Sequence, residues 1–201
     1  MEACVAPSGI HVIGPNSVIQ LGAALCDLAG PGTADSVFAS AGHPSLRTKP
    51  PGDMVDEAVP AALMAHLWTM LDPEDARTIA HEAGLRTADY VIAHRIPGFA
   101  KQVLARSPRA LALRLLLQSI RRNAWTFCGS GACRVDLGRD PAVLLEKNPL
   151  PMPGCVWHVA VFERLFARLV SPDIRVRHRP QAPAPNSLDR FDIGDKFAGH
   201  L

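Results

Sequence analysis

Up to Ile120 the apolar positions mostly recur at helical spacing. Val18, Leu21, Leu25 and Leu28 follow a start at Pro15 and a cap residue at Asn16, and Gly30-Pro31-Gly32 ends the run. The Pro- and Gly-rich stretch Ala41 to Asp53 reads as a loop. A helix is predicted from about Asp53 to Leu71, with Pro60 starting or kinking its second half. Asp72 then caps a helix that Pro73 opens and Gly84 closes, and Thr87 caps the next one, which Pro97 ends. Ser107 caps and Pro108 opens a further helix to Asn123. Its Leu111, Leu113, Leu115, Leu116, Leu117 and Ile120 occupy more than one face, which predicts burial on most sides.

Beyond Asn123 the pattern shortens. β-prone runs on each side of Gly129-Ser130-Gly131 predict a hairpin, and "AVLLEKNPL" a strand ending at Asn148-Pro149. "CVWHVAVFERLFARLV" returns to helical spacing through Val156, Val159, Phe162, Leu165, Phe166 and Leu169. "DIRVRHRP" and "LDRFDIG" read as two closing strands. Helices first, then a small antiparallel sheet crossed by a helix, make an α+β class. The expectation is one domain over 1–201, with its core at about 11–176 and an atypical segment at 177–201.

Composition adds little to this picture: 48% hydrophobic and 20% charged residues are ordinary for a globular chain. No apolar run reaches the roughly 18 to 20 residues of a membrane span, and the first residues lack the pattern of a secretory leader, so no transmembrane segment and a cytoplasmic location are expected. The five cysteines (Cys4, Cys26, Cys128, Cys133 and Cys155) are then expected as free thiols.

Charge changes the picture more. The net charge is only +2, but Tyr90 to Arg134 contains no acid and carries Arg95, Lys101, Arg106, Arg109, Arg114, Arg121, Arg122 and Arg134. The preceding stretch, Asp53 to Asp89, is acidic. A basic block of this kind suits a carboxylate, a phosphate or an acidic surface. The bland alternative is that the two blocks face each other or are simply solvated.

Three chemistries compete for "IRRNAWTFCGSGACRV", Ile120 to Val135. A dinucleotide loop needs a third glycine where Arg134 stands and a helix after it. A zinc site would draw on Cys128, Cys133 and Cys155, but their spacing lacks a second close pair. A plain hairpin needs only glycines at a turn, and is the reading preferred here. His94, near a helix end beside Arg95, and His158, after Trp157, are the histidines placed to ligate a metal through a neutral nitrogen. Either can equally be a capping or core histidine. Trp125 and Trp157 could line a flat ligand or pack in a core. No Ser-His-Asp order, HExxH or P-loop is present.

Taken together, "IGPNSVIQL", "AGLRTADYVIAHRIP", "LLLQSIRRNAWTFCGSG", "EKNPL" and "CVWHVAVFERLFARLV" resemble the 4-vinyl reductase domain family, in the branch of the bacteriochlorophyll-biosynthesis J proteins. The resemblance runs from about His11 to Val176. It implies a fold similar to trafficking-complex and nitric-oxide-sensing ligand-binding domains. It also implies a role in bacteriochlorophyll biosynthesis. The expected role is an accessory or delivery factor that binds a magnesium tetrapyrrole such as divinyl protochlorophyllide. The alternative is the 8-vinyl (4-vinyl) reductase of that pigment, supplied by an external electron donor, since no cofactor motif is evident in the sequence. For such a ligand Arg95, Arg121 or Arg122 would pair with a propionate, His94 or His158 would approach the magnesium, and Trp125 and Trp157 would flank the ring. Expected partners are the pigment, other enzymes of bacteriochlorophyll synthesis and a second copy of the chain in a homodimer.

The resemblance breaks at Arg177 to Asp189 and resumes at Arg190 to Ile193. Family members carry there an acid, a Cys-Cys-Ala-Ala-Gly run and a further cysteine, whereas this chain reads "RHRPQAPAPNSLD". Loss and recovery of a pattern at constant length is what two compensating frame shifts in the reported sequence would leave. As it stands, the segment lacks the cysteines that would complete a zinc site with Cys128, Cys133 or Cys155. A nucleic-acid module is the weakest reading and none is expected, because the arginines of Ala110 to Asn123 alternate with leucines on a helix that reads as buried.

Overall fold

The computed structural model describes residues 11–182 and 187–195. Helices come first: α1 (Asn16–Ala29), α2 (Pro31–Ser40), α3 (Ser45–Thr48), α4 (Ala58–Met70), α5 (Pro73–His94), α6 (Gly98–Arg106) and α7 (Arg109–Arg122). Two short strands, β1 (Val12–Ile13) and β2 (Val55–Asp56), pair antiparallel among them. Then come β3 (Ala132–Asp136), β4 (Ala142–Glu146), helix α8 (Val156–Leu169), β5 (Ile174–Ala182) and β6 (Leu188–Asp195). The second sheet is antiparallel in the order β3-β4-β6-β5. The α+β class read from the sequence is therefore the observed one.

Helix α8 is the centre of the arrangement, packing on α5 on one side and on β5 on the other. Its residues Trp157, His158, Val161, Phe162, Leu165 and Phe166 are buried. The sheet meets them with an alternating face: Val143 pairs with Phe191 and Val176 with Ile193, and all four are buried. Phe162 and Phe191 meet edge to face with ring centroids 5.2 Å apart.

Three local readings are corrected. The helix expected to end at Gly84 and restart at Thr87 is the single helix α5. A Cβ on Gly84 would stand 2.6 Å from the Trp157 carbonyl oxygen and 2.8 Å from the Ala160 Cβ, so the glycine admits α8 and is no stop signal. Thr87 donates its hydroxyl to the Ala83 carbonyl at 2.8 Å, a mid-helix bond that replaces the expected cap. The Gly129–Gly131 turn does not close a hairpin either. It follows a 3-10 turn, Ala124–Thr126, and the hairpin closes instead between β3 and β4. Glycine is required at 131 because a Cβ there would run into the Glu146 and Lys147 carbonyls. Finally, Leu111 and Leu115 of α7 face solvent, while Ala112, Leu116, Leu117 and Ile120 form its buried stripe.

Candidate functional site

Two places concentrate chemistry. The first is a buried polar cluster where α8, β5 and β6 meet. His178 on β5 lies 2.7 Å (Nε2 to Oδ1) from Asp189 on β6. Asn148, just after β4, donates its amide to Asp189 Oδ2 at 3.1 Å and to the Cys155 sulfur at 3.4 Å. Its own carbonyl accepts from the Leu150 N–H at 2.9 Å. Burial and the Asp189 carboxylate push the Cys155 thiol well above its ordinary range, so it stays protonated. His158 of α8 is fully buried beside this group, and burial drives its pKa down to about 4, opposed by Asp189 and assisted by His178. Neither of its ring nitrogens has a hydrogen-bond partner.

Cys155, His178 and Asp189 bring one ligand atom each within 4.8 Å of one another, a donor set of the kind zinc takes. The same atoms are engaged in hydrogen bonds: Asp189 and Cys155 accept from the Asn148 amide, and His178 pairs with Asp189. Of the three cysteines that a zinc site would draw on, Cys155 shares its donor group with His178 and Asp189 among the described residues. The neighbouring Cys133 thiol, together with burial, raises the Cys128 thiol. Cys4 lies outside the described residues.

Asn148 ties strand to strand and both to the turn before α8. Asn148→Ala removes a buried donor pair and strands the Leu150 N–H, so a stability loss of about 2–3 kcal/mol is expected in urea unfolding. A loss under about 0.5 kcal/mol would mean that water replaces the amide.

The second place is an open cleft of about 390 Å³ between the first half of α5 and the start of α8. Arg77, Thr78 and His81 line it from α5, and Gly154, Val156 and Val159 from the other side. Arg77 and His81 are four residues apart on α5, so both present to the same side of the helix. Opposite them the wall is apolar. Gly154 takes φ +68°, and the chain enters α8 through Cys155 at φ +46°. A Cβ at Gly154 would stand 3.8 Å from the Arg77 guanidinium, an ordinary contact. This cleft can hold a flat apolar body by its edge and offer a guanidinium and an imidazole to the polar parts. Another cleft, of about 480 Å³, is lined by Arg139, Arg179, Arg190, Asp140, Asp192 and Asp195. Its charges are largely neutralised internally: Arg190 lies 2.6 Å and Arg179 2.7 Å from Asp192.

The residues singled out in the sequence fall in three separate settings. His94 and Arg95 are exposed at the end of α5, the His94 ring tilted against Tyr90 at 4.8 Å and Arg95 6.0 Å from the same ring. Arg121, Arg122 and Trp125 are exposed at and after the end of α7. Trp157 and His158 are buried in α8, ring against ring at 4.9 Å. None of them lines either cleft. Sequence reading missed Arg77, His81, Asn148, His178 and Asp189. The i, i+4 spacing of Arg77 and His81 was visible, but the wall they face begins only at Gly154, far along the chain.

No protein-family model matches the chain. Among curated proteins it is 42% identical over 194 residues to the bacteriochlorophyll synthase 23 kDa chain of Cereibacter sphaeroides, covering 93% of this chain and 92% of that one. It is 40% identical over 172 residues to the bacteriochlorophyll synthase 23 kDa chain of Rhodobacter capsulatus, covering 82% and 78%. Among solved structures, an H-NOX domain from work on heme distortion in the H-NOX family aligns with a TM-score of 0.59 at 15% identity, over 92% of this chain and 95% of that one. An oxygen-binding H-NOX domain related to soluble guanylate cyclases, in its oxygen complex, aligns with a TM-score of 0.52 at 15% identity, over 92% and 95%. At such identities the likeness is one of fold.

Proposed function

The chain belongs to the family of the bacteriochlorophyll synthase 23 kDa chain, and from that premise we propose that it serves bacteriochlorophyll biosynthesis by holding a magnesium tetrapyrrole and handing it on. The observation that carries the reading is the α5–α8 cleft, with Arg77 and His81 on one side and Val156 and Val159 on the other. A chlorophyllide-type pigment is flat and apolar, bears a propionate, and has a magnesium that accepts one axial ligand. Arg77 pairs with the carboxylate and the His81 imidazole approaches the metal, while the valines take the ring edge. The volume falls in the lower part of the ~300–1,000 Å³ range of ligand sites. An open cleft of that size grips part of a macrocycle and lets it leave, which suits delivery. A reductase would also have to bind an electron donor and exclude water around the reacting vinyl group.

Absorbance titration with divinyl protochlorophyllide tests the assignment. Arg77→Gln and His81→Ala each remove one charge-assisted or metal contact, so affinity is expected to drop about tenfold or more. Both side chains are exposed, so the fold is expected to survive the changes. Unaltered binding in both variants, with a loss instead in His94→Ala or Arg121→Ala, would move the site to the surface that the sequence resemblance points to.

A further inference from the structure

Seven large hydrophobic residues are well exposed among the described ones, and five of them, Phe99, Val103, Leu111, Leu115 and Trp125, lie in the stretch Tyr90 to Arg134 that has no acidic residue. Four sit on consecutive helices that pack on each other, Phe99 and Val103 on α6, Leu111 and Leu115 on α7. In each helix the two are four residues apart and so share a face. Each pair is 40% exposed or more, with Phe99 at 72%. The opposite sides of these helices are the buried ones, through Leu104 on α6 and Ala112, Leu116, Leu117 and Ile120 on α7.

The arginines share these solvent faces. Arg106 follows Val103 by three residues, and Arg114 and Arg122 flank the Leu111–Leu115 row. Arg109 is paired with Asp195 and Arg134 with Glu146. Among the described residues Arg106, Arg114, Arg121 and Arg122 have no acidic partner. Neither helix contributes an acid, and along both of them exposed aliphatic and phenyl side chains alternate with arginines that have no acidic partner among the described residues. Arginine stems can lie along an apolar layer while their heads reach phosphates. No helix among the described residues is long and apolar enough to cross a membrane.

We infer that the α6–α7 face docks peripherally on a bilayer bearing anionic lipids, with Phe99, Val103, Leu111 and Leu115 dipping into the headgroup boundary and Arg106, Arg114 and Arg122 on the phosphates. The complementarity is that of basic amphipathic helices lying in a membrane interface. A duplex or single-stranded nucleic acid would use the arginines but leave four aliphatic or phenyl groups against a phosphate backbone. The attachment does not depend on the pigment cleft, which draws on α5, α8 and the turn before α8.

The test is vesicle flotation of the full chain without pigment. Phosphatidylcholine vesicles are compared with mixed phosphatidylglycerol–phosphatidylcholine vesicles at low and high salt. Binding is expected to the mixed vesicles, weakened by salt, and little to phosphatidylcholine alone. Arg106→Gln with Arg114→Gln should lower the partition coefficient roughly 30-fold, at about fivefold per basic residue near an anionic surface. Phe99→Ser with Leu111→Ser should lower it at least tenfold. All four residues are exposed, and an unchanged thermal transition shows that the variants remain folded. The inference is overturned by absence of binding to mixed vesicles, or by variants that bind as the parent does. It is also overturned if the same substitutions dissociate a dimer in solution without affecting vesicles, which gives the face to a second copy. Salt-sensitive polynucleotide binding lost in the arginine variants, with no vesicle binding, gives it to a nucleic acid.

Discussion

Replacing Gly84 by alanine is expected to lower the melting temperature by roughly 4–8 °C. In an open helix the same replacement would add about 1 kcal/mol. The sign reverses because the new Cβ would stand 2.6 Å from the Trp157 carbonyl oxygen and 2.8 Å from the Ala160 Cβ. The first of these atoms is helix backbone and cannot turn aside, so α8 must move away from α5. Forcing a methyl group into such a contact costs about 1–3 kcal/mol, and valine costs more. Gly32→Ala is the control: it lies in a helix, with nothing within 4 Å of an added Cβ. Thermal unfolding of the two variants checks the claim directly. A Gly84→Ala protein as stable as the parent would mean that α5 and α8 are not held at this separation.

The second large effect is acid lability centred on His158. Its pKa falls from 6.5 to about 4 in the folded chain, first because it is buried. Of the charged neighbours, Asp189 opposes the shift and His178 adds to it. A histidine depressed in the folded state binds its proton preferentially when unfolded. Stability is therefore full above about pH 6.5, falls as the pH drops through the window from 6.5 to 4, and levels off below. The shift corresponds to about 3 kcal/mol over that window. Both ring nitrogens lack partners, so an apolar side chain of similar volume loses no hydrogen bond. His158→Leu is expected to match or exceed the parent at pH 7 and to lose about 3 kcal/mol less between pH 7 and pH 4. Urea unfolding across that range separates this from the protonation of carboxylates, which both proteins share. Parallel pH profiles would show that His158 is not the acid-sensitive group.

Much of the frame was legible because it is written locally. Pro108 announced α7, which starts one residue later than read. Ser107 does not cap it, since its hydroxyl donates back to the Val103 carbonyl of α6. The apolar spacing from Val156 to Leu169 announced α8. The closing strands were legible even through Arg177 to Asp189, where the family pattern is lost: His178 and Asp189 pair across β5 and β6 within that stretch. What failed were places where a distant neighbour sets the meaning of a residue. Gly84 reads as a helix stop until α8 lies against it, and Gly129 and Gly131 read as a hairpin turn until the carbonyls of Glu146 and Lys147 close on Gly131. Leu111 and Leu115 read as core because nothing in the sequence says which side of α7 is covered.

The candidate site was less legible than the fold for the same reason. Arg77 and His81 belong to an acidic, outwardly ordinary helix, and only the Gly154–Val159 wall turns them into a cleft. The histidines that stand out in the sequence do so through their neighbours along the chain. His94 lies against Tyr90 at the surface, and His158 fills the core between Trp157 and Phe191. Cys155 does sit in a polar cluster, but in company the sequence does not suggest: its partners are Asn148, His178 and Asp189, not Cys128 and Cys133.

Under the proposed function this chain holds a magnesium tetrapyrrole and passes it on unchanged. The most direct measurement is an anaerobic absorbance titration of the purified protein with divinyl protochlorophyllide, repeated with NADPH, followed by chromatography of the extracted pigment. A saturable Soret shift at one pigment per chain is expected, with the vinyl group intact in either case. Monovinyl product in molar excess over protein would contradict it and make the protein a reductase. A flat titration, with no shift at any pigment concentration, would contradict it as well and leave the α5–α8 cleft without its ligand.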